Sequence, residues 1–201
     1  MALLTTVPCP WAKRSPAGWR RVVRLLATIF SLVTVGAFAQ VQPLPSKEYS
    51  VKAVFLFNFA QFVEWPSEAF PSGQTPLIIG ILGDDPFGAY LDETVRGEKV
   101  NNRPLVVRRF HRVDEITTCH VLFISRSELA RLGQILTDLK GRNVLTVGDA
   151  NGFALEGGVI QLVTEKNKIR MRINLDAAKA ADLRISSKLL RPAEIVEPPR
   201  G

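Results

Sequence analysis

Cys119 and His120 stand side by side, a thiol next to an imidazole, which is the material of a nucleophile–base pair. The run that follows them, "VLFIS", reads as a strand, and neighbours in a strand point to opposite faces, so the two side chains diverge instead of forming a dyad. Asp84-Asp85 closes the apolar run "PLIIGIL" and could serve as an acidic phosphoryl-accepting pair. Capping of the helix expected from Pro86 explains the pair more simply. Gly148, Gly152, Gly157 and Gly158 lack the Lys-Ser/Thr ending of a phosphate loop. His111 and His120 are the chain's two histidines, and neither has neighbours at metal-ligand spacing. The reading is therefore no catalytic residue, no metal site, no cofactor and no enzyme.

Binding chemistry has better material. "VKAVFLFNFAQFVEWP", Val51 to Pro66, carries four phenylalanines and a tryptophan, with Lys52 and Glu64 as its charges. Phe55, Phe57 and Phe59 alternate as in a strand, but the length from Ser46 and the stop at Pro66 predict a helix with Ser46 as N-cap. At 3.6 residues per turn, Val51, Phe55, Leu56, Phe59, Phe62 and Val63 share the core face. Val54, Phe57 and Trp65 fall on the other side, either covered by the rest of the domain or open to a partner. Phe153, in the glycine-flanked loop, either anchors that loop on the sheet or serves as an interface aromatic. "RRFHR", Arg108 to Arg112, is either a solvated strand end or a docking patch for an acidic partner.

Two segments frame these residues. The first 24 residues hold five basic side chains and no acid, and an apolar run from Leu25 ends in Ala37-Phe38-Ala39. A basic flank, a short apolar run and a small-x-small end make a cleaved signal peptide, residues 1–39, and no Cys follows the cut to make a lipoprotein. The remaining chain, 40–201, is one domain. Removal of the five basic residues brings the net charge from +7 to +2, so the chain is no nucleic-acid binder by charge. Cys119 is then its one cysteine and forms no internal disulfide.

The elements that position the candidates alternate. Pro76–Leu82, Leu105–Phe110, Cys119–Ser125 and "NVLTVGD" read as strands. Between them lie helical stretches with Tyr90, Leu91 and Val95, and with Leu129, Leu132, Ile135, Leu136 and Leu139, as apolar sides. That is an α/β fold, a mostly parallel sheet flanked by helices. "GGVIQLVTEKNKIRMRIN" then gives a C-terminal antiparallel hairpin turning at Glu165 to Lys168, with Lys168, Arg170 and Arg172 as a charged row that protects an edge. A short helix from "LDAAKA" and another capped by Ser186 or Ser187 complete the domain.

"EYSVKAVFLFNFAQFVEWP", "GDANGF" with "GGVIQL", and "INLDAAKAADLRISSKLL" together resemble the YfiR family of exported bacterial signalling regulators, over about residues 48–196. The resemblance implies a periplasmic α/β domain that binds the outer part of an inner-membrane signalling protein. The partner would be a diguanylate cyclase or a sensor kinase, which the domain holds inactive and so controls cyclic-di-GMP and biofilm. Some relatives carry paired cysteines for redox sensing; Cys119 matches one such position and has no mate after the signal. The partner-binding residues expected are Val54, Phe57 and Trp65 on the helix, and Phe153, Glu165 and Met171 around the loop and hairpin, where the resemblance is also high. A homodimer stays open. The alternative function is a periplasmic small-molecule-binding module, or an α/β enzyme, using the end of the parallel sheet.

Overall fold

A computed structural model describes residues 46–197; the expected signal peptide and its cleavage point lie outside these residues. The elements are α1 (Lys47–Phe62), β1 (Val63–Glu64), β2 (Leu77–Leu82), α2 (Ala89–Val95), β3 (Lys99–Val100), β4 (Arg103–Phe110) and β5 (Val121–Ile124). Then come α3 (Leu132–Asp138), β6 (Leu145–Gly148), β7 (Ile160–Glu165), β8 (Lys168–Ile173), α4 (Leu175–Ala180), β9 (Arg184–Ile185), α5 (Ser187–Leu190) and β10 (Glu194–Ile195). Eight strands form one sheet in the order β10-β8-β7-β6-β5-β2-β4-β3. Strands β2, β4, β5, β6 and β7 run parallel, the hairpin β7–β8 is antiparallel, and β10 joins β8 in parallel. The expected mostly parallel sheet with an antiparallel hairpin is the fold observed. Among the described residues no helix is long and apolar enough to cross a membrane.

Alternation along the central strands feeds two cores. Leu77, Ile79 and Ile81 of β2, with Val121 and Phe123 of β5, face α1 and α2; Ile78, Leu82, Leu122 and Ile124 face α3. All six residues of β2 are buried, as a strand covered on both faces requires. The hairpin turns through Lys166 and Asn167, both at positive φ, a pairing whose twist matches the flanking strands. Ser186 accepts a hydrogen bond from Lys188 N–H at the start of α5, as its spacing predicts. Asn174 caps α4 by accepting from Ala177 N–H and donating to the Ala154 carbonyl.

Several expectations are corrected. Helix α1 ends at Phe62, not at Pro66, because Val63 and Glu64 pair with Ile185 and Arg184. Ser46 occupies the N-cap position without a capping hydrogen bond from its side chain. The second helix begins at Ala89, with Asp85 capping the turn ahead of it through Phe87 and Gly88 N–H, so Pro86 lies before the helix. Leu129 is exposed, because residues Arg126–Arg131 form a 3₁₀ turn before α3. The charged row of β8 is not the sheet's outermost strand; β10 flanks its end, with Glu194 on Arg172.

Candidate functional site

The first helix faces only partly as its apolar spacing predicts: of the six residues expected in the core, Leu56, Phe59 and Val63 are buried, Phe55 and Phe62 half-buried and Val51 exposed. Lys52, Ala53, Leu56, Phe59 and Ala60 are buried, while Val51 and Val54 are each 41 % exposed. The helix is turned by roughly a quarter of a revolution, about one residue at 100° per residue. The buried face includes Lys52, whose side chain is wholly buried. Its ammonium donates to Asp149 Oδ2 at 2.6 Å and to Glu48 Oε1 at 2.5 Å. Asp149, just past β6, also accepts from the Tyr49 hydroxyl at 2.9 Å and from Arg126 Nε at 3.1 Å. Thr164 of β7 donates to Glu48 at 2.7 Å and so ties the hairpin to the helix's first turn.

The electrostatics of this cluster are settled by its partners. Burial pushes the Asp149 carboxyl up, but hydrogen bonding and charge from Lys52, joined by Tyr49 and Arg126, outweigh it and hold the group below its ordinary value. Burial, then the hydrogen bond to Asp149, raises the Tyr49 hydroxyl to about 12. The hydrogen bonds from Lys52 and then Thr164 lower Glu48. Every member is hydrogen-bonded and the charges alternate in sign, so the cluster is a structural tie.

What remains outside is mixed, with Gln61 exposed and Asn58 half-buried beside two valines. Val51 and Val54 form an outward step on α1, and Phe55, Phe57 and Phe62 lie half-buried on its flanks. Of the six residues expected to bind a partner, Val54 and Glu165 are exposed and Phe57 and Trp65 half-buried. Trp65 donates Nε1–H to the His120 carbonyl at 3.2 Å, which fixes its ring edge-on to the His120 ring. Phe153 and Met171 are buried, so neither offers a surface. Phe153 is 1 % exposed and lies on Gly148 and Gly158, as a loop anchor does. Met171 alternates inward from the charged row and packs in the first core. Glu165 holds Arg170 and Arg172 at 3.4 and 3.5 Å.

The chemical candidates disperse. Cys119 is packed in the second core with its thiol on the Val121 carbonyl, and burial pushes it up to about 12. His120 accepts from Ile78 N–H at Nδ1, so its proton sits on Nε2 and goes to the Ala69 carbonyl at 3.1 Å. Asp85 binds Arg109 at 2.7 Å in addition to its capping role. Arg109 also reaches Asp92, and Arg112 pairs with Asp114, so two charges of the basic run are locally matched.

The chain passes from β2 outward to β4 and returns to β5 on the other side, so the carboxyl ends of β2 and β5 flank the crevice where open parallel sheets hold ligands. Here the Ser127 hydroxyl oxygen accepts from Asp84 N–H at 3.0 Å, and a Cβ at Gly83 would lie 2.4 Å from that oxygen. Glu128, also packed on Gly83, is buried and paired with Arg131. Ser127 and Glu128 thus pack against Gly83 at the end of β2. A groove of about 380 Å³ lies elsewhere, between α3 and α4, with Leu136, Leu139, Val144, Val159, Ala177 and Ala181 among its walls. Among the described residues no three His, Cys, Asp or Glu side chains are placed to hold a metal ion.

The YfiR/HmsC-like family model matches residues 49–194, from the first turn of α1 to the start of β10. The chain belongs to this family. No curated protein matches the sequence. The solved structures similar to this member of the YfiR/HmsC-like family include an ABC domain from Streptococcus pneumonia in complex with L-Trp. That chain is 10 % identical at a TM-score of 0.45, over 60 % of this chain and 55 % of its own. They also include a conserved domain protein from Vibrio cholerae O1 biovar eltor, 11 % identical at 0.45, over 60 % and 54 %. The chain spans about half the length of either, and both likenesses are too distant to bear on function.

Lys52, Asp149, Tyr49 and Arg126 are the residues sequence reasoning missed. Glu48 four residues before Lys52 is a legible helical pair. Asp149, 97 residues away, leaves no sequence signal that it is the partner.

Proposed function

We propose that this chain is a periplasmic regulatory protein that binds the outer part of an inner-membrane signalling enzyme, such as a diguanylate cyclase, and favours its inactive state. The observation that carries the reading is the outward apolar step of α1, Val51 and Val54 between half-buried phenylalanines, in a member of the YfiR/HmsC-like family. The packing of Ser127 and Glu128 against Gly83, at the end of β2, supports it against an enzyme that works there. Regulation needs a difference in affinity for the two states of the partner, and a hundredfold difference is about 2.7 kcal/mol. A modest apolar patch is enough.

The test is capture of the partner from membranes by the purified domain, with Val51→Asp and Val54→Asp beside the wild type. Both positions are surface positions, so the melting temperature stays within about 2 °C while binding weakens at least about tenfold. Undiminished capture by both variants sinks this docking face. Export is tested separately: N-terminal sequencing of protein from the periplasm returns Gln40 as the first residue, and a full-length cytoplasmic chain would contradict the localisation.

A second reading, a small-molecule-binding module, is favoured by the groove between α3 and α4. A compound that raises the melting temperature of the wild type but not of Ala177→Phe would support it.

A further inference from the structure

Apolar residues of helix α1 lie on more than one side, with Asn58 and Gln61 among them, so packing alone does not choose the side it buries. Two rotations compete. One buries Val51, Phe55, Leu56, Phe59, Phe62 and Val63, the set the apolar spacing favours. The observed one, roughly a quarter of a turn away, buries Lys52, Ala53, Leu56, Phe59 and Ala60. It is an odd choice on hydrophobic grounds, because it takes in a lysine and two alanines and leaves two valines outside.

The buried charge explains it. Lys52 and Asp149 both have fully buried side chains and meet at 2.6 Å. Turning the helix the other way would draw the ammonium off the carboxylate. Tyr49, on the same helix, would turn away with it; Asp149 would keep the largely exposed Arg126, Lys52 would keep Glu48, and the buried contacts to Asp149 would be lost. A buried ion pair adds little stability over an apolar pair of the same shape, yet it heavily penalises any arrangement that breaks it. Setting register is its best-attested use.

We propose that the Lys52–Asp149 pair is the positioning device of α1: it selects the rotation that turns Val51 and Val54 outward. Its value to regulation rests on the reading of that face as the docking surface; the selection of rotation does not.

Thiol labelling separates the two rotations. Ala53 is fully buried in the observed rotation and turns outward in the other, whereas Val54 is exposed in the observed one. Cys119, buried in the second core, reports any global opening in the same molecule. In Lys52→Met, the Ala53→Cys thiol should label at least about tenfold faster than with Lys52 present, while Cys119 stays protected and the Val54→Cys thiol slows. Lys52→Arg should restore slow labelling at Ala53→Cys. If Lys52→Met exposes Cys119 as well, the same rates are read with Asp149→Leu added, which removes the orphaned carboxylate. An Ala53→Cys thiol that stays protected in a folded variant lacking the pair overturns the proposal. A rotated helix that still captures the membrane partner overturns the docking face instead, and leaves the positioning role standing.

Discussion

At the level of single residues, His120 is the group whose protonation most directly couples to folding. Burial lowers it to about 4, against the small opposing effect of the Ala69 carbonyl, and Phe70 stacks on its ring at 4.4 Å. The folded ring therefore stays neutral while the unfolded one takes up a proton near pH 6.5. Between those values the unfolded chain binds more protons, so stability rises with pH across the window and falls as acid is added. The loss from pH 7 to pH 4 is on the order of 2–3 kcal/mol from this residue. Glu48 and Asp149 have lowered values, so their contributions are lost only on further acidification, below about pH 4.5. Denaturant titrations at pH 7.0 and 4.8 should show the loss in the wild type and a flatter response in His120→Gln. Parallel pH profiles for the two proteins would show that the imidazole is not the cause. The neutral state of His120 is not legible in the sequence, where the residue reads as a neighbour of Cys119 and as one of two histidines without metal-ligand spacing. Its partners, Ile78 N–H and the Ala69 carbonyl, lie 42 and 51 residues away.

Among the elements, the loop between β6 and β7 shows how glycine is used for space instead of flexibility. Gly158 has no positive φ, yet a Cβ there would lie 2.0 Å from the Phe153 ring. Gly148 makes the same allowance from the other side, at 2.5 Å. The ring fills the gap, and the Gly158 N–H closes the loop on the Phe153 carbonyl at 3.0 Å. Gly158→Ala should cost about 1–3 kcal/mol by overpacking, and Phe153→Ala about 3–5 kcal/mol by leaving a cavity. In the double variant the costs should add to less than their sum, since the added methyl enters the space the ring leaves. Full additivity in urea titrations would mean the two do not share this contact. Helices and long strands were legible because each carries its own apolar run: "LIIGIL" is a buried strand wherever it sits. Strands β1, β9 and β10 were not, because two residues carry no period and only pairing defines them. The buried side of α1 is not legible for a related reason, since the buried partner of Lys52 lies on another element.

For the molecule as a whole, the question is which kind of force brings a partner to it. The sequence offered two answers, an apolar helix face and the basic run Arg108 to Arg112, and it could not rank them because pairing is a property of the fold. The fold matches Arg109 with Asp85 and Asp92 and Arg112 with Asp114, which leaves Arg108 outside these pairs, in a strand whose other end is held down by β3. Beyond the expected signal peptide the chain carries only +2, too little to steer association over a long distance. Apolar docking through α1 is weakly screened, whereas docking on a basic patch would weaken steeply once salt shortens the reach of charge below about 10 Å. The association rate with membranes carrying the partner should therefore change by less than about threefold between 0.05 and 0.3 M salt. Arg108→Ala should leave it nearly unchanged under the same conditions. A tenfold fall with salt, abolished by Arg108→Ala, would move the docking surface from the helix to the end of β4, and the exposed valines of α1 would then need another explanation.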